Sequence, residues 1–202
     1  MSNWSSTEVR RASHVTRAAE GLPRRRFTVA EVESMIAAGV MDADERVELI
    51  GGEFVPMAAE SRWHEDVKIA LCRHWAPFAS AGCELKVEAP IRLSTDTLLA
   101  PDLTLRPTTL DAGAAKPEDV WLVVEITETS RRYDLGRKPR IYARHGVREL
   151  WVIDARTMST RTFREPHANG YAAISDFNFD ETVIPVIAPP QFALRFDTLE
   201  PA

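Results

Sequence analysis

One apolar run constrains this chain more than any other feature. Residues 121–124 read Trp-Leu-Val-Val and are followed at once by Glu125. A continuous apolar run is the pattern of a strand covered on both faces. A carboxylate closing such a strand is costly unless a partner neutralises it. Alternation puts Trp121, Val123, Glu125 and Thr127 on one face and Leu122, Val124 and Ile126 on the other. Residues 138–145 then carry a helical pattern stopped by Gly146, and residues 149–154 form a second apolar run ending in Asp154. Strand, helix and strand in that order predict a parallel pair with a right-handed crossover.

The flanking segments add predicted elements on either side. Thr28 and Glu31 have capping-box spacing, which starts a helix that should reach about residue 38 and stop at Gly39. Residues 46–57 read as a hairpin turning at Gly51-Gly52, with Arg46, Glu48 and Ile50 on one face. Residues 61–78 read as a helix whose apolar stripe is Val67, Ala70, Leu71, Trp75 and Phe78, with His64 on the same side. Strands are expected over 84–93 and 98–105, the second holding Asp102 and interrupted or bent at Pro101, which cannot donate to a ladder. Residues 106–119 read as a loop. A hairpin over 160–174 and a short last strand over 192–196 complete the chain. The expected class is α/β (α+β), a mixed central β-sheet flanked by helices, with an added N-terminal helix and β-hairpins.

At 202 residues the chain has room for one domain, here residues 27–202, with residues 1–26 as a disordered basic leader holding six Arg and two Glu. The net charge of −5 excludes a surface coated for nucleic acid, so any such contact needs a local patch. Two cysteines, Cys72 and Cys83, make neither a metal motif nor a disulfide framework, and a reducing, cytoplasmic setting is expected. No apolar run approaches the ~20 residues needed to span a bilayer, and the N-terminus lacks the apolar region of a signal peptide. Neither a membrane nor an organic cofactor is expected as a partner.

The chemistry concentrates on two acids. If the strands holding Asp102 and Glu125 pair, both carboxylates lie at one edge of one face, where they repel unless a proton or a divalent cation intervenes. All-oxygen ligation suits Mg²⁺ or Mn²⁺ rather than Zn²⁺, and such a cation can hold a phosphate and activate water. A cationic side chain two residues after Glu125 would share its face, but that position is Thr127; Lys138, at the start of the next helix, can reach the same space. Around it stand Arg131, Arg132, Arg137, Arg140, Arg144 and Arg148 against a single acid, Asp134, for a local charge of 7 − 1 = +6. Beside a carboxylate pair this fits a bound polyanion better than a merely solvated helix face.

These residues resemble the PD-(D/E)XK nuclease superfamily, and within it the Uma-type family of bacterial restriction endonucleases. The resemblance rests on residues 48–53 (Glu-Leu-Ile-Gly-Gly-Glu), His64, Pro101-Asp102, Val124-Glu125-Ile126, Ser130, Asp134, Lys138, Tyr142, Gly146-Val147, Glu149 and residues 151–154 (Trp-Val-Ile-Asp), and it spans about residues 27–196. It implies a restriction endonuclease-like core, Asp102 and Glu125 as metal ligands with the Ile126 carbonyl, and Lys138 as the catalytic lysine moved onto the helix. It also implies supporting roles for Glu48 and His64, and DNA as the substrate. Arg131, Arg132, Arg137 and Arg140 would hold the nucleic acid, and a homodimer is plausible for nucleases of this type. Two other readings stay open from the residues alone. One is a catalytically silent, nucleic-acid-binding or regulatory module on the same fold. The other is metal-free glycoside hydrolysis by the two carboxylates, which the basic helix disfavours.

Overall fold

The structure, a computed structural model, describes residues 21–42, 44–79, 82–108, 116–128 and 136–199. The Thr28 hydroxyl accepts from the Glu31 N–H at 3.2 Å, and the Glu31 carboxylate accepts from the Thr28 N–H at 2.9 Å; this reciprocal cap starts α1 (Val29–Ala37). Gly51 and Gly52, both at positive φ, turn β1 (Val47–Ile50) into β2 (Glu53–Pro56). Ser61 caps α2 (Arg62–Trp75), which ends in a single 3₁₀ turn containing Pro77. The chain continues through β3 (Cys83–Val87), β4 (Ile91–Arg92), β5 (Leu98–Leu99), β6 (Leu103–Pro107) and β7 (Leu122–Thr127). After α3 (Arg137–Arg144) come β8 (Glu149–Asp154), β9 (Ser159–His167) and β10 (Gly170–Phe177).

Two sheets result. The larger has the order β10-β9-β8-β7-β6-β3 and the smaller β2-β1-β5-β4. β7 and β8 pair in parallel, as strand–helix–strand order predicts, and among the described residues every other strand pairing is antiparallel. The class is therefore mixed α/β, as expected.

Two expected strands each break in two. Residues 84–93 become β3 and β4, and residues 98–105 become β5 and β6; in both cases one half joins each sheet. Pro101 interrupts the second ladder, and Glu88, with φ of 48°, turns the first. Asp102 thus precedes β6 at the crossing point instead of lying within a long strand. The expected last strand over 192–196 is also corrected. Short 3₁₀ turns, Pro190–Phe192 and Phe196–Thr198, flank a lone bridge between Val183 and Leu194. Pro189 and Pro190 lack the N–H groups that a ladder needs.

The large sheet is covered on both faces. Leu122, Val124 and Ile126 pack with Val67, Leu71 and Trp75 of α2 and with Phe192 and Leu194 of the C-terminal segment. Val123, Leu150 and Val152 pack on the opposite face with Tyr142 and Ala143 of α3. A third cluster, Val29, Val32 and Leu49, joins α1 to the small sheet. Among the described residues, no helix is long and apolar enough to cross a membrane.

Candidate active site

Glu125 is the buried acid that the apolar run of β7 anticipates. It is 3% exposed and lies on the α3 side of the sheet, on the face of Val123. β6 and β7 are in register at Leu103↔Val124. Continuing that antiparallel pairing by one residue sets Asp102 across from Glu125, on the face of Thr104 and Val123. The two acids therefore share one edge of one face, and both line a cleft of about 260 Å³ together with Arg46, Glu48, Glu60, His64, Ile126, Glu128 and Lys138.

Three other elements bring partners to these acids. α3 presents Lys138 and, one turn on, Tyr142. Lys138 Nζ donates to Glu125 Oε2 at 3.0 Å and stands 3.0 Å from Glu48 Oε1 of β1. Tyr142 donates its hydroxyl to Glu125 Oε1 at 2.7 Å. Pro139 fits because it lies in the first turn of α3; the helix begins one residue earlier than expected. α2 presents His64, whose Nε2 is 2.7 Å from Asp102 Oδ1. The other Asp102 oxygen accepts from the Ile126 N–H at 2.6 Å.

Glu60, Lys68, Tyr142 and Glu128 carry parts of this site that sequence reasoning did not assign. Glu60, His64 and Lys68 are spaced four residues apart, and that spacing was the available signal. Lys68 Nζ is 2.5 Å from Glu60 Oε2 and also pairs with Glu88; Arg46 pairs with Glu60. Burial works against the charge of both Glu60 and Lys68, but their mutual bond, with Arg46 and Glu88, outweighs it, so Glu60 is held below and Lys68 above the usual value. Burial, reinforced by the Glu125 charge, pushes the Tyr142 phenol well above its ordinary value, so it stays a donor. The hydrogen bond from Ser61, helped by Arg156, holds the Glu128 carboxyl below the usual carboxylate range.

Carboxylates and an imidazole are together the kind of donor set that can hold a divalent cation. Buried carboxylates converge on the cleft, and Glu60, His64 and Asp102 each offer a ligand atom within 4.8 Å of the others. Glu53 stays at the surface, whereas Glu48, in the same hairpin, is 4% exposed. Arg137 and Arg140 are exposed on α3. Arg131 and Arg132, with Ser130, Asp134 and the leader up to residue 20, lie outside the described residues.

Comparison with solved structures brings out a crystal structure at 1.96 Å described as a putative nuclease belonging to DUF820 from Anabaena variabilis ATCC 29413. The alignment has a TM-score of 0.58 at 13% identity and covers 87% of this chain and 94% of that one. At that identity the likeness establishes the fold, which is the fold of that protein. No curated protein matches the sequence. Residues 29–197 match the model of the Uma2 family, described as "Putative restriction endonuclease". That match takes in both sheets, all three described helices and every cleft residue, and the chain belongs to the Uma2 family.

Proposed function

We propose that this chain is a Mg²⁺- or Mn²⁺-dependent endonuclease that hydrolyses DNA phosphodiester bonds. The observation carrying this reading is that Asp102, just before β6, lines one cleft with Glu125 of β7, Glu48 of β1 and Lys138 of α3. Asp102 and Glu125, with the Ile126 carbonyl, would hold the cation, and the neighbouring pair Glu60 and His64 extends the donor set. Bound there, a divalent cation supplies Lewis acidity toward the phosphate and lowers the pKa of a bound water.

The chain's own side chains do the rest. The Ile126 N–H and His64 orient the Asp102 carboxylate. Tyr142 orients that of Glu125. Lys138, gripped between Glu48 and Glu125, keeps an ammonium group ready for the negative charge that develops on a pentacoordinate phosphate. Arg137 and Arg140, with Arg131 and Arg132 of the same basic stretch, attract the DNA backbone by charge alone. The two free thiols support a reducing, cytoplasmic setting, and a homodimer would place two such clefts on one duplex.

The test is nicking of supercoiled plasmid together with calorimetric titration of Mn²⁺. Wild type should cleave and bind; Asp102→Asn and Glu125→Gln should do neither. Equal residual nicking by all three proteins would sink the assignment.

A further inference from the structure

Trp63 is 47% exposed, on the first turn of α2, beside His64. It continues the Val67, Leu71 and Trp75 line of the helix by one turn, but past the end of the core, and it belongs to none of the buried clusters. It is nevertheless held in place. The Arg156 guanidinium lies over its ring, 5.0 Å from the centroid. Arg156 Nε donates to Glu128 Oε1 at 2.5 Å, and Glu128 in turn accepts from Ser61, the cap of α2. The backbone of Arg156 is pinned as well, because Asp154 Oδ1 accepts its N–H at 3.0 Å and that of Thr157 at 3.2 Å. Ser61, His64 and Glu128 all line the cleft, and the indole adjoins it through Arg156, which stacks on the ring and donates to Glu128.

We propose that Trp63, with Arg156 stacked on it, is a platform for an unpaired base of the DNA strand entering the cleft. The ligand assignment rests on the nuclease reading above; the platform itself rests on its geometry. A rigid, exposed aromatic ring beside a cleft offers a face that any base can stack on, and an adjoining guanidinium adds attraction to both base and phosphate. The nearby acids are already engaged, Glu128 by Ser61 and Arg156, and Asp66 by Arg62 at 3.5 Å. Within a duplex the base faces are covered by their neighbours, so the platform selects a strand that is single or locally opened.

The test uses the full chain in EDTA, so that binding is read without cleavage. Fluorescence anisotropy follows a labelled oligothymidylate and, separately, a duplex of the same length. Trp63→Ala should weaken binding of the single strand about tenfold and change duplex binding by less than about twofold. Trp63→Phe, which keeps a stacking face, should restore most of the loss. Circular dichroism checks that each variant is folded. If Trp63→Ala leaves single-strand binding unchanged, or weakens duplex and single strand alike, the platform is refuted. Plasmid cleavage by that same variant would leave the nuclease reading standing. If wild type binds neither nucleic acid and cleaves none, both readings fall.

Discussion

Lys138 Nζ lies 3.0 Å from Glu125 Oε2, although thirteen residues separate the two in sequence. The nearer position on the same strand face, Thr127, is buried and carries no charge. The ammonium reaches the acid from helix α3 instead, and the next turn of the same helix brings Tyr142 to the other carboxylate oxygen. Glu125 is therefore gripped at both oxygens by one short helix, whose placement follows from the parallel crossover between β7 and β8.

Replacing Lys138 with Met keeps most of the side-chain volume and removes the charge. We expect cleavage to fall roughly 10²–10³-fold, the usual cost of losing one charge-stabilising donor. Mn²⁺ affinity should rise, because the ammonium competes for Glu125 and Glu48. Calorimetry on the folded variant checks the sign; weaker Mn²⁺ binding would show that Lys138 does not compete for the acids.

Tyr142→Phe deletes only the 2.7 Å bond to Glu125 Oε1 while keeping the buried ring. Leaving a buried acceptor short of a donor costs about 1–3 kcal/mol, to be read as a lower midpoint in urea at unchanged slope. Cleavage should drop as Glu125 loses its orientation. Unaltered stability and rate would show that the hydroxyl does nothing for Glu125.

Added Mn²⁺ should stabilise the fold by mass action, by about 2.7 kcal/mol at a hundredfold excess over Kd. Thermal unfolding with and without the ion, in wild type and in Asp102→Asn, provides the comparison. The midpoint should rise in wild type alone, and EDTA should reverse it. An equal rise in both proteins would locate the ion elsewhere.

Glu149 is 1% exposed and accepts from Trp151 Nε1 at 2.9 Å, Arg164 Nε at 2.8 Å and the Val186 N–H at 2.8 Å. Arg164 also donates to the Ile184 carbonyl at 2.6 Å, so the pair ties the C-terminal segment to the sheet. Arg164→Met should cost about 3 kcal/mol, since it strips a buried carboxylate of its countercharge. Limited proteolysis should then cut first between residues 178 and 190; an unchanged midpoint and digestion pattern would show that the pair is not what holds the segment.

Asp176 faces Arg161 across the β9–β10 ladder and accepts from it at 2.6 and 2.8 Å. The Arg161 bonds hold its carboxyl below the ordinary aspartate range, against a slight opposing effect of burial. A lowered folded value means the pair stabilises fully above the unfolded value of about 3.9 and loses that contribution as pH falls through the folded value. The pair is exposed, so the gain stays below ~1 kcal/mol. Urea midpoints of wild type and Asp176→Asn should differ at neutral pH and converge in strong acid; a constant difference would exclude the linkage.

Several features were determined by the sequence itself. The two apolar runs, the capping box at Thr28 and Glu31, the Gly51-Gly52 turn and the parallel crossover depend on local pattern, and local pattern is written in consecutive residues. The shared face of Asp102 and Glu125 was conditional on the pairing of their two segments, and only the β6–β7 register supplied that condition. Tertiary structure decided what depends on contacts distant in sequence. It split residues 84–105 between two sheets at Glu88 and Pro101. It buried Glu48 while leaving Glu53 in solvent, a choice that strand alternation alone cannot make. It also gathered Glu60, Lys68, Tyr142 and Glu128 around the acids, since a carboxylate in a cleft takes its partners from whichever elements the packing of the two sheets brings within a few ångströms.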